Sequence, residues 1–484
     1  MSLELLYFII IINQINLFHT TQIVSLPFNS YFKYGSKTNI TSIDDLSQNN
    51  LYSSINIGEP SQKIKAFLSV MHSYFSLNQN ILAKSINDFV SHYEIDKSIT
   101  FKNISSDIID LKDYDSAAKE KFELNLFNYD TKQYFNISVD DMIFIYNDNN
   151  KGKNLSNTYY LNIGFQIINQ KKLKERERFN FINQLKKRNI IKNYDWCIFF
   201  EKGKNNNGSF LYNPDELIYA KGELLIGDLP HSYNNNFNNK QLLSTYSIYN
   251  DYLFKWALEF SSIYYNKSIN EIQKIEMTDV QININNYVIL APMSYYFNIR
   301  RDFFDYYISK KACYIYQGSE YKTFYCEKSE NFTIEDLKKF PILYMAHKEF
   351  QYTFELTYED LFIEKNNKYW FMVVLSVFNT DIEEWFMGII FLRKYNLIFN
   401  QDSKTISFYN PNISLYDKLP EQKNNNTNNN YSHIIIIIFL IIFICIIIII
   451  IIRIFFCKNI IKSNKDKKRL NQIYENFDYN YKIN

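Results

Sequence analysis

Apolar residues along this chain fall mostly in short alternating or continuous runs, separated by polar turns. Residues 369–375 (YWFMVVL) are one such run. The runs are rich in Ile, Val, Phe and Tyr, whose branched and aromatic side chains pack well on a pleated surface, so they predict strands. Helical spacing is local. Residues 179–191 (FNFINQLKKRNII) place Phe181, Ile182 and Leu185 on one face, which predicts a surface helix. Residues 301–309 (RDFFDYYIS) predict a second. The fold class is mostly β with a few short helices.

Two apolar stretches stand apart from this pattern. Residues 434–452 are apolar without a break, long enough to cross roughly 30 Å of hydrocarbon as one helix. Arg453, Lys458 and a basic cluster at 462–469 follow, and positive charge on that flank places the tail, 453–484, in the cytoplasm. Residues 5–12 have the length of the apolar core of a secretory signal, assigned to 1–25 with a cut between Thr20 and Ser25. A buried N-terminal strand is the alternative there. Together the two stretches predict a single-pass type I membrane protein, its bulk in the secretory lumen or outside the cell.

Composition narrows the function classes. A net charge of +2 argues against nucleic acid as the main partner. With only 10 glycines there is no glycine-rich loop to cradle a nucleotide. Asn-rich stretches at 205–207, 234–239 and 424–430 read as exposed loops, the last within a stalk at 416–433. Ten glycosylation sequons begin at Asn39, Asn103, Asn136, Asn154, Asn207, Asn266, Asn331, Asn412, Asn425 and Asn430. Of 5 cysteines, Cys445 and Cys457 lie in or beside the apolar span. Cys313 and Cys326 flank a hairpin-sized loop and are expected to form a disulfide in an oxidising compartment. Cys197, in the apolar run 196–200, is expected to be a buried free thiol. The 6 histidines are scattered, so neither a metal site nor a cofactor is expected.

Residues 55–73 (INIGEPSQKIKAFLSVMHS) resemble the opening strand pair of the pepsin-like aspartic proteases, "IGTPPQKF" followed by an apolar strand and Asp-Thr-Gly-Ser. Residues 288–297 (VILAPMSYYF) resemble the second strand of that kind. Further segments follow in the family's order: 160–165 (YLNIGF), 182–191, 196–200, 222–227 (GELLIG), 256–260 (WALEF), the Cys313–Cys326 pair, 340–343 (FPIL), and 385–395 (WFMGIIFLRKY) leading to 406–408. The resemblance implies a two-lobed pepsin-like domain over 27–415, with an N-terminal lobe at about 50–228 and a C-terminal lobe at about 250–410.

The family's chemistry needs two carboxylates that share a proton, one activating water and the other polarising the scissile carbonyl. Here Ser69, Val70 and Met71 stand at the first Asp-Thr-Gly, and Ala291, Pro292 and Met293 at the second. No Asp or Glu occurs from residue 62 to 87 or from 280 to 301, so no small change of register recovers a pair. Ser69, His72 and Ser73 lack the orienting acid that a substitute nucleophile would need. The flap tyrosine has no identifiable counterpart in residues 103–116. These features predict a catalytically inactive homologue that binds a peptide or protein in the inter-lobe groove. An active acid endopeptidase and a structural surface protein or adhesin are the alternatives.

Overall fold

The structure, a computed structural model, describes residues 22–32, 49–70, 75–79, 93–105, 115–128, 133–147, 158–166, 176–200, 221–229, 238–248, 255–268, 271–275, 278–319, 321–377, 385–410 and 469. Among these, strands form sheets of 14, 9 and 4 members. The architecture is mostly β and two-lobed.

Alternation builds the first lobe. In strand Gln62–Ser69, Ile64, Ala66 and Leu68 are buried while Lys63 is exposed. That period of two puts one face on the core. The strand pairs antiparallel with Asn49–Ile57 and parallel with Thr158–Gly164. Phe75–Gln79 returns on the far side of Thr158–Gly164, with Phe75 opposite Ile163.

The largest sheet does not stop at the lobe boundary expected from sequence. Leu397–Asn400 pairs with Asp195–Phe200, and Thr405–Tyr409 pairs with Leu397–Asn400 and Leu242–Tyr246. The last strands of the C-terminal segment therefore belong to the first lobe's sheet. Aromatic packing explains their place: Phe399 stacks on Trp196 at 4.2 Å, and Trp256 meets both rings edge-on.

The predicted helix at 179–191 is found as Phe181–Lys187, capped by Asn180, whose side chain accepts the Asn183 N–H at 3.0 Å. The second predicted helix is longer than its sequence span. Helical backbone starts at Met293, passes through a wider turn at Arg300–Phe304 and ends at Ser309. Buried Tyr295, Ile299, Phe303 and Tyr307 repeat every four residues and carry the stripe back to the start.

Cys313 and Cys326 are directly opposed in a strand pair and joined as a disulfide. Cys197 is buried and free. The apolar stretches 5–12 and 434–452, the stalk, most of the tail and the Asn-rich loops at 205–207 and 424–430 lie outside the described residues. Among the described residues no helix is long and apolar enough to cross a membrane. Gln22–Phe32 is a strand, with Ile23 and Val24 wholly buried and Val24 opposite Ile226.

Candidate functional site

Each half of the molecule places its candidate residue at the end of a strand that runs parallel to a neighbour. In the first half, Ser69 closes Gln62–Ser69 opposite Gly164, and its carbonyl accepts the Phe165 N–H at 2.7 Å. Val70 follows at 2% exposure. Met71, His72 and Ser73 lie outside the described residues. In the second half, Ile289–Leu290 runs parallel to Val373–Ser376, and the Ala291 N–H donates to the Val374 carbonyl at 3.0 Å. Ala291 is 3% exposed.

The two halves diverge immediately afterwards. Pro292 fixes an extended step, φ −59 and ψ 155, and Met293 opens the helix. Tyr295 and Tyr296 are drawn into the core, where Tyr295 packs on Trp385 at 4.9 Å and Tyr296 stacks on Phe324 at 4.7 Å. Burial pushes the Tyr296 phenol up to about 12 and the Tyr295 phenol higher still. Neither ring offers a charged form for chemistry at acidic or neutral pH.

Three side chains from the second half reach across to the first. Asn285 Nδ2 donates to the carbonyl of Leu68, the residue before Ser69, at 2.8 Å. Trp256 Nε1 donates to the Phe165 carbonyl and Gln401 Nε2 to the Gln166 carbonyl, both at 2.7 Å. All three acceptors sit at the carboxyl ends of the parallel pair Gln62–Ser69 and Thr158–Gly164. Trp256 and Gln401 fall in segments that resemble family landmarks, while Asn285 carries no such mark. The signal for Asn285 lies in the asparagines around it: Asn283 Oδ1 accepts the Asn285 N–H and Asn286 Oδ1 the Val288 N–H, a turn built from Asx bonds.

Several buried carboxylates are engaged by other groups. Glu120 accepts from the hydroxyls of Tyr93, Ser98 and Thr100. Asp360 bonds Lys394 at 2.7 Å. Asp195 accepts from Asn400 at 2.7 Å; burial raises its pKa, nearby Asp228 adds to the rise, and the Asn400 bond opposes it. Among the described residues no group of three or more His, Cys, Asp or Glu is placed to hold a metal ion. In the flap region, Lys102–Asn103 pairs with Ala118 and Lys119, and residues 106–114 lie outside the described set.

No family model and no curated protein sequence matches the chain. Among solved structures it is similar to conglutin gamma, a basic 7S globulin from lupine seeds, with a TM-score of 0.52 at 11% identity, covering 81% of this chain and 95% of that one. It also aligns with the basic 7S globulin from soybean at a TM-score of 0.49 and 12% identity, covering 82% and 98%. The class this defines is one of fold: a two-lobed, mostly β, pepsin-like architecture.

Proposed function

We propose that this chain is a catalytically inactive pepsin-like protein, held in a membrane through residues 434–452, that binds an extended peptide or protein segment in the groove between its lobes. One observation carries the loss of chemistry. Both parallel strand pairs are formed, and their ends present Ser69 and Ala291, with no acid in the flanking stretches. A serine and an alanine hold no shared proton, and neither can polarise a scissile carbonyl while activating water.

Retention of the scaffold supports binding. An extended ligand is held by main-chain hydrogen bonds without being cut. The span at 434–452 with its basic flank supports the anchor, as the sequons support a lumenal or extracellular ectodomain. A signal cut before Gln22 fits better than one at Ser25, because Ile23 and Val24 belong to the core.

The test uses the purified membrane protein, shown to be folded, with a diverse peptide library from about pH 3 to pH 7, the range of carboxylate titration. The expected result is no cleavage at any pH, with a subset of peptides retained. Cleavage abolished by pepstatin would establish an active endopeptidase instead. No cleavage and no retained peptide would favour a structural surface protein.

A further inference from the structure

Four of the ten sequons fall on described residues, and the fold separates them. Asn136, Asn266, Asn331 and Asn103 are all exposed as residues, so exposure alone does not decide. What differs is how each carboxamide is employed.

Asn136 lies in strand Gln133–Asn147 opposite Asn125, on an exposed stretch of the hairpin. Asn266 sits at a bulge, one residue past Tyr265, where the pairing with Leu343–His347 has ended. Asn331 is in the turn between Ser329 and Phe332. There Phe332 is wholly buried and Thr333 Oγ1 bonds Asp336 at 3.0 Å, so the backbone is anchored while Asn331 faces water.

Asn103 is different. Its Nδ2 donates to the Tyr146 hydroxyl at 2.9 Å, and its Oδ1 accepts the Ser105 N–H at 2.9 Å. Ser105 Oγ accepts the Ala117 N–H at 2.9 Å, but Thr333 Oγ1 is engaged as well, so the carboxamide and not the hydroxyl separates Asn103 from Asn331. Asn103 and Ser105 pin the base of one hairpin. Tyr146 is 5% exposed, so its ring has no room to withdraw from a sugar placed on that nitrogen.

We propose that the folded protein carries N-linked glycans on Asn136, Asn266 and Asn331 and none on Asn103. The modification rests on the secretory topology proposed above. A bond forms between Nδ2 and the anomeric carbon of a lipid-diphosphate-linked oligosaccharide, supplied with its membrane transferase. The bond from that carbon to the diphosphate oxygen breaks. The diphosphate leaves with the electron pair, and Nδ2 gives up one proton.

The full chain is expressed in a glycosylating eukaryotic host in two forms, one with its own N-terminus and one with a strong cleavable signal in front. Folded protein is deglycosylated enzymatically in heavy-oxygen water, which marks each formerly glycosylated Asn as Asp, and the peptides are weighed. The expected result is a mark on most copies of Asn136, Asn266 and Asn331, with Asn103 recovered unmarked. Marks that appear only with the added signal support the site assignment and sink the topology of the native chain. A mark on Asn103 in folded protein, or any of the other three unmarked in both forms, overturns the proposal.

Discussion

His347 stacks on Phe350 at 4.0 Å, meets Phe260 edge-on, and uses Nδ1 to accept the Phe350 N–H at 3.2 Å. Burial pushes its pKa down from 6.5 to about 4, against a smaller upward pull from Glu349. The unfolded chain takes up this proton near 6.5 and the folded chain only near 4, so stability is full above 6.5 and is lost as pH falls between those values. The linkage is worth up to about 3 kcal/mol at about 1.4 kcal/mol per unit. His347→Phe keeps the stacking and removes the proton site, at a cost of about 1 kcal/mol near neutrality for the lost acceptor. Urea midpoints for the two proteins should therefore cross, with the variant weaker at about pH 7 and stronger at about pH 4. Parallel curves would show that His347 does not carry the effect. The strand-end residues make a second case at this scale. Placing an acid at both strand ends, as Ser69→Asp with Ala291→Asp, should give no pepstatin-sensitive cleavage above background. Ala291 is 3% exposed, and the helix begins two residues later, so a carboxylate there is buried without the loop that would serve it. Proteolysis by this double variant would show that the two strand ends can serve a pair of carboxylates.

Elements whose pattern is local were legible in the sequence. The alternation in Gln62–Ser69 and the Asn-capped helix Phe181–Lys187 both appear where their residues put them. Elements decided by distant partners were not. The run 369–375 reads as one strand, yet it divides into Lys368–Phe371 and Val373–Ser376 around Met372. Met372 donates to the Leu361 carbonyl and accepts from the Ile289 N–H, so the chain changes partners at that residue. The helix from Met293 was hidden for a related reason: a likeness to a strand and loop masked an apolar repeat that runs straight through it. Scarce glycine also blurred the turns, since Asn189, Asn366 and Asn367 take the left-handed backbone usually marked by glycine. Where glycine is kept, closeness explains it. A Cβ on Gly388, between strand Trp385–Met387 and helix Ile389–Lys394, would lie 1.9 Å from the Asn286 carbonyl oxygen and 2.9 Å from that of Val288. Gly388→Ala should therefore cost about 3 kcal/mol, at the upper end for overpacking, read as a lower denaturant midpoint with an unchanged slope. A cost under about 0.5 kcal/mol would mean that the Asn286 turn can move aside.

Across the whole molecule, the two lobes are joined by a shared sheet, an aromatic knot and three side-chain donors, and these differ in what they predict. The sheet and the knot of Phe165, Trp196, Trp256 and Phe399 make separate unfolding of the lobes costly, because either lobe alone would expose part of the other's core. One cooperative transition is expected, seen alike by tryptophan fluorescence and backbone dichroism. The donors act at a finer level. Asn285→Ala leaves the Leu68 carbonyl without its side-chain donor, and Trp256→Phe does the same at Phe165, each costing about 1–3 kcal/mol. Leu68 and Phe165 lie at the ends of one parallel strand pair, so the two losses should not be independent. The double variant is expected to differ from the sum of the singles by more than about 0.5 kcal/mol, the level at which neighbouring sites separate from distant ones. Strict additivity, together with one unchanged transition, would mean that each donor merely satisfies its own carbonyl. A coupled pair would mean that the second half holds the Ser69 strand end as a unit, which would give the binding groove proposed above a fixed shape.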